Sequence, residues 1–376
     1  MKKVLSLFAT ALLLTACSND DAGSQDKSSG LPIAFNAEQV DYVTRAAGEI
    51  MGLEEINDGR HYGLREQGFG IFACYTGKLK YEFTSVTSDF MYNQGVNWLS
   101  GRWEYFPLKY WPNEAEDMVS FFAYGPYEEN PSGEKCIASI QPVNEQGDPW
   151  LIYKLAQEVD NQVDLIYGVN EETGKPWFDL HKLDMATVQS PIKFKFYHAL
   201  SCIGDVVTLK PAQALLTKLG TYGEVRLDSI VIDYANLTSK ARLNLNSTAS
   251  VPNWKAIVSG DMTATRTVTL KPEPTPVTLD INGKEFTDKG LFYIPLQVVK
   301  EAAEAQVTVW YTIKDNEGYE YKGSVSKSFP LDMTNAAVGK KQGIALTLTE
   351  DLDLLHQTYI IDGSEALEPS YSRVTK

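Results

Sequence analysis

Among 376 residues, 49 are acidic and 34 basic, for a net charge of −15. Such a surface repels phosphates and anionic headgroups, so neither nucleic acid nor a bare lipid surface is expected as a partner. Hydrophobic residues make up 43% and aromatics 11%, enough for two cores, and four cysteines with no close spacing exclude a disulfide scaffold or a zinc ribbon.

At the start of the chain, Lys2 and Lys3 precede an apolar run from Val4 to Leu14, which ends in Leu14-Thr15-Ala16-Cys17. A positive start, an apolar middle and small residues before a cysteine read as a lipoprotein signal, with residues 1–16 removed and Cys17 carrying the lipid. The run is too short to span a bilayer, which takes about 20 residues. Residues 17–30 hold no large apolar side chain, and they read as a flexible polar tether. Asp20 and Asp21 resemble the acidic export signal of surface lipoproteins in anaerobic diderm bacteria. The expected location is therefore the cell outer membrane, facing outward.

Beyond the tether the pattern is β almost throughout, with short apolar, β-branched or aromatic runs between Gly, Asn, Asp and Pro clusters. Strands are predicted over 31–37, 69–75, 81–83, 118–124, 163–167, 192–197, 206–209, 225–234, 266–270, 291–296, 307–313, 319–326 and 344–348. Ile192, Phe194 and Phe196 point one way and Lys193 and Lys195 the other, as on a strand with one wet face. Phe121, Phe122, Ala123 and Tyr124 are apolar on both sides and should be buried or covered by a loop. The expected fold is all-β, a β-sandwich architecture with minor short helices. One helix is predicted over 210–219, opened by Pro211 and closed by Gly220. A polar stretch before Ile192 suggests a boundary, giving an N-terminal sandwich over 31–186 and a C-terminal one over 187–376. Cys74 and Cys202 sit in apolar runs and read as buried free thiols; one bridge among Cys74, Cys136 and Cys202 stays open.

Chemistry-bearing patterns are sparse. The histidines His61, His181, His198 and His356 show no i, i+4 metal spacing, and there is no nucleophile elbow or phosphate-cradling loop. His198 reads as a core histidine bonded to a backbone group. The pairs Glu54-Glu55, Glu128-Glu129 and Glu171-Glu172 read as solvated loop tips. Neither catalysis nor a metal nor a cofactor is expected. Residues 90–127 are dense in aromatics, including Trp98, Trp103 and Trp111. They fit either a core with its loops or a platform for stacking sugars.

Within that stretch Phe90-Met91-Tyr92-Asn93-Gln94, Trp103-Glu104-Tyr105-Phe106-Pro107, Lys109-Tyr110-Trp111-Pro112 and Ser120-Phe121-Phe122-Ala123-Tyr124-Gly125-Pro126 follow in order. Further along come Val163-Asp164-Leu165-Ile166-Tyr167, Leu227-Asp228-Ser229-Ile230 and Val307-Thr308-Val309-Trp310-Tyr311-Thr312. The series resembles the fimbrillin (Mfa-like) family of lipoprotein pilus subunits from anaerobic diderm bacteria. That resemblance implies two tandem transthyretin-like sandwiches and assembly with other pilus subunits into a fimbrium, with a host glycan or protein as a receptor. It also implies that an arginine-specific protease removes the first strand. The matching site here is Arg45-Ala46, and the displaced strand would be 31–43, with Leu31, Ile33 and Phe35 facing the core. A shaft subunit also needs a donor strand at its C-terminus, whereas the tail here is polar and carries Pro369. A tip, accessory or anchor role fits this departure.

Overall fold

Alternation of apolar and polar residues gives each strand one face to bury, and two such faces must meet. The computed structural model describes residues 30–39, 63–82, 86–132, 136–184, 191–257, 263–287, 289–298, 300–333 and 338–361. Its strands are β1 (Phe35–Gln39), β2 (Phe69–Gly77), β3 (Met91–Leu99), β4 (Arg102–Glu104), β5 (Met118–Gly125), β6 (Ile137–Ile140), β7 (Trp150–Lys154), β8 (Ile166–Val169), β9 (Trp177–His181) and β10 (Ile192–His198). They continue as β11 (Ser201–Pro211), β12 (Glu224–Thr238), β13 (Lys240–Thr248), β14 (Val251–Lys255), β15 (Thr263–Leu270), β16 (Val277–Thr278), β17 (Lys284–Thr287) and β18 (Leu291–Tyr293). The last are β19 (Glu304–Lys314), β20 (Glu320–Pro330), β21 (Lys341–Leu348) and β22 (Leu354–Ile360). Helix α1 (Leu64–Gln67) is a single turn, and α2 (Gln213–Leu219) falls inside the predicted helix.

Two sheets form the first sandwich. One runs β1-β10-β8-β5-β2-β3-β4, with β9 also on β5; the other runs β14-β13-β7-β6. Between them Phe72, Phe122, Tyr124 and Tyr167 pack with Leu151, Tyr153, Leu243 and Trp254. The second sandwich pairs the sheet β17-β11-β21-β22 with the sheet β15-β12-β19-β20. Ile203, Val207, Leu209, Ile344 and Leu346 meet Leu227, Ile230, Ile232, Val307 and Val309 in its interior.

Strand pairing moves two pieces across the expected division at residue 187. Strand β10 was expected to open the second unit, but it is hydrogen-bonded between β1 and β8 in the first sheet. The hairpin β13-β14 leaves the second sandwich and adds to β7, with Leu243 opposite Leu151. Trp254 on that hairpin donates its indole N–H to the Ala199 carbonyl at 2.9 Å. The chain thus crosses between the sandwiches more than once, which local composition around residue 187 does not encode.

Strand β5 is buried along its whole length, as its doubly apolar sequence requires. Cys74, Cys136 and Cys202 are buried thiols that form no disulfide. Burial pushes the Cys74 thiol up to about 12 and raises that of Cys202 as well, so both are poor nucleophiles. His198 is buried, but its partner is a carboxylate: Nδ1 lies 2.5 Å from Asp164 Oδ2. Glu128 is no loop tip. It is 6% exposed, and its Oε1 accepts the backbone N–H of both Cys136 and Ile137 at 3.1 Å. Glu171 is exposed and pairs with Lys195 at 2.8 Å, as a solvated tip would.

Candidate functional site

The outer face of the first sheet carries a second core. Phe69, Ile71, Phe121, Ala123, Phe194 and Phe196 project from β2, β5 and β10. In a flat sheet β2 and β10 would stand about 14 Å apart, three strand spacings. The Phe69 and Phe196 rings are nevertheless 5.5 Å apart, and the edge strands β1 and β4 come into contact. The sheet is therefore rolled around these aromatics, with a seam where its edges approach.

The N-terminal segment closes this seam. Its first part pairs on one side: Ile33 N–H donates to Lys109 O and Trp111 N–H to Leu31 O, each at 3.0 Å, and Pro32 bridges Tyr110. Its second part, β1, pairs on the other side in parallel with β10, Phe35 opposite Ile192 and Ala37 opposite Phe194. Tyr105 adds a side-chain bond to the first part, donating its hydroxyl to Ile33 O at 2.9 Å. The segment alternates as a strand must. Ile33 (1% exposed), Phe35 (4%) and Ala37 (3%) point inward, while Pro32 and Ala34 are exposed. Leu31 is half-buried against the same core. The Phe35 ring contacts Tyr105, Phe121 and Phe194 at centroid separations of 5.4, 5.8 and 6.3 Å.

Of the residues singled out from sequence, Leu31, Ile33 and Phe35 thus share one groove. Cys17, Arg45 and Ala46 lie outside the described residues. The three tryptophans do not offer a common stacking face. Trp111 is 3% exposed and packs edge-on against Phe121 at 5.8 Å. Trp98 and Trp103 are half-buried and pack on each other at 5.2 Å. Trp103 also sits on Phe69, and the Arg65 guanidinium lies 4.3 Å from the Trp98 ring centre. The backbone N–H of Trp111 pairs with Leu31 O, a contact too distant in sequence to foresee. Sequence alone does not mark Tyr105 or Ala37 as groove residues. Tyr105 looked like one more aromatic among many, and Ala37 lay at the end of the apolar run. Exposed apolar side chains do occur beside the seam: Phe106 (88%), Leu108 (46%) and Tyr110 (49%).

The chain is similar to known fimbrial proteins. The fimbrium subunit Fim1C of Phocaeicola vulgatus strain ATCC 8482 is 30% identical over 174 residues, 46% of this chain and 43% of that relative. The match therefore spans less than half of the relative's length. The crystal structure of a fimbrial protein from Bacteroides vulgatus ATCC 8482 superposes with a TM-score of 0.62 over 89% of this chain and 99% of that one. At 19% identity this likeness is one of fold. A family model described as fimbrillin-like matches residues 64–362, both sandwiches, and the chain belongs to the fimbrillin-like family.

Proposed function

We propose that this protein is a surface lipoprotein, anchored through Cys17, that serves as a tip, accessory or anchor subunit of a fimbrium. In this reading residues 31–39 form a plug. Cleavage between Arg45 and Ala46 frees it, and a strand from a neighbouring subunit takes its place. The observation that carries the reading is the seating of that segment. Its first part pairs with residues 109–111 and its second part lies at the sheet edge on β10, with Ile33, Phe35 and Ala37 buried in a groove the rest of the domain already shapes.

Removing it would bare the polar edge of β10 and the apolar floor of Phe121, Phe194 and Trp111. Such an edge is a template for another strand. Ladder hydrogen bonds supply affinity and side-chain pockets supply selectivity. Each large apolar side chain returned to the groove contributes about 1.5–3 kcal/mol gross, from which the ordering of the incoming strand subtracts. The exposed Phe106, Leu108 and Tyr110 give the arriving subunit further apolar surface beside the seam. Partners are other pilus subunits. A host receptor would be met by the assembled fimbrium, and the buried Trp111 argues against a tryptophan platform for glycan.

Arg45→Ala tests the processing step. An arginine-specific protease should shorten the wild-type precursor after Arg45, and the product should enter higher oligomers with its partner subunits on size-exclusion chromatography. The variant should stay full-length and monomeric. Cleaved wild-type protein that remains monomeric with partners present would refute strand exchange for this chain.

A further inference from the structure

In the second sandwich, β11 and β21 run parallel as neighbours, with Cys202 opposite Lys341 and Ile203 opposite Gln342. The register then breaks and resumes at Val207 opposite Ile344. Three residues of β11 stand against Gly343 alone. Gly204, at φ +74, makes this bulge possible. A bulge re-aims side chains, and this one turns Asp205 onto the neighbouring strand. Asp205 Oδ2 lies 3.0 Å from Lys341 Nζ, and the two side chains are 1% and 5% exposed.

The surroundings shut water out. Gly290 packs its backbone closely on this stretch of β11; a Cβ there would come within 2.4 Å of Cys202 Sγ and 3.1 Å of Asp205 Cα. Gln162 of the first sandwich holds this segment, donating to Gly290 O at 2.6 Å and accepting from Phe292 N–H at 2.8 Å. An ion pair so deeply buried is a poor stabiliser, because desolvating both charges offsets most of their attraction. A bulge, a close-packed glycine and a buried amine against a buried carboxyl suit a different end state.

We propose that Lys341 and Asp205 condense into an amide that covalently cross-links β11 to β21. A proton crosses the 3.0 Å contact from Nζ to Oδ2, leaving a neutral amine and a carboxylic acid. The Nζ lone pair attacks Cγ of Asp205. The tetrahedral carbon then expels one oxygen, which leaves as water with the acid proton and a proton from nitrogen. One C–N bond forms and one C–O bond breaks. No oxidant, reductant or cofactor takes part. Two groups fixed in contact react as if at an effective concentration on the order of 10⁵ M or more, and the dry site withholds the water that would drive hydrolysis. The link joins the first long strand of the second sandwich to a strand near its end, where it would carry tension directly between them.

The test is mass spectrometry of the mature protein before cleavage at Arg45. Its intact mass should fall one water, about 18 Da, below the mass calculated for that same processed and lipidated chain. A digest should contain a branched peptide joining the segment around Asp205 to the one around Lys341, with no cleavage after Lys341. Lys341→Arg, which keeps the charge but lacks the amine, should match its own calculated mass with no water missing. A wild-type mass equal to the calculated one, or a water loss that fragmentation places anywhere else, overturns the proposal. Neither outcome bears on the removable strand, which lies in the other sandwich.

Discussion

Phe35→Ala should destabilise the first sandwich by about 3–5 kcal/mol, the usual cost of emptying a buried phenylalanine site. The ring is almost wholly buried and touches three other aromatic rings from two sides of the seam. Its loss opens a cavity at the point where the rolled sheet is held shut. Ala34→Ser on the same segment is exposed and should stay within about 0.5 kcal/mol of the wild type. Denaturant unfolding of the uncleaved protein measures both. The contrast carries more information than either value, because a segment lying loosely on the surface would make the two substitutions equally mild. In the proposed assembly the Phe35 effect should also vanish once the protein is cleaved and assembled, since that reading has the side chain leave the fold.

A comparable loss is expected for Glu128→Ala. The carboxylate accepts two backbone N–H groups and the Cys136 thiol from within the core. Each buried donor left without an acceptor costs about 1–3 kcal/mol, so on the order of 3–5 kcal/mol is expected with the cavity included. Glu128→Gln keeps an acceptor oxygen and should lose less than half as much. The neighbouring bonds, Tyr124 hydroxyl to Asn93 Oδ1 at 2.6 Å and Asn93 Nδ2 to the Glu128 carbonyl at 2.9 Å, do not use this carboxylate. They should survive in both variants, which confines the effect to residues 136 and 137 at the start of β6.

These two residues mark how far the sequence can be read. Ile33 and Phe35 were legible because they alternate within one short segment, and the same holds for Ile192, Phe194 and Phe196 on β10. Strand periodicity is a local signal. Glu128 was not legible: a Tyr-Glu-Glu-Asn-Pro run signals a turn, and nothing local says that the turn folds its first acid inward. Strand β3 escaped for a related reason. Its sequence is rich in Asn, Gln and Gly, and Asn93 takes a positive φ of 45°, so the alternation is blurred. The hairpin β13-β14 carries Arg242, Asn244, Asn246 and Asn253 and finds its partner β7 far back in the chain. Sheet membership depends on such distant pairings, which is why a division at residue 187 looked natural in sequence while β10 and this hairpin belong to the first sandwich. The family resemblance was carried by ordered motifs along the chain and did not depend on resolving these details.

The central claim is that residues 31–39 must leave their groove before the subunit can join a fimbrium. Asn36 and Lys193 are register partners on β1 and β10, and neighbouring strands place such a pair about 4.8 Å apart, within reach of a disulfide. The most direct measurement is the oligomeric state of the Asn36→Cys/Lys193→Cys protein after arginine-specific cleavage in the presence of partner subunits. Under oxidising conditions the cut chain should keep its plug and stay monomeric, and adding reductant should let it assemble as the wild type does. Equal assembly with the disulfide intact would show that the strand need not move, and would contradict the account.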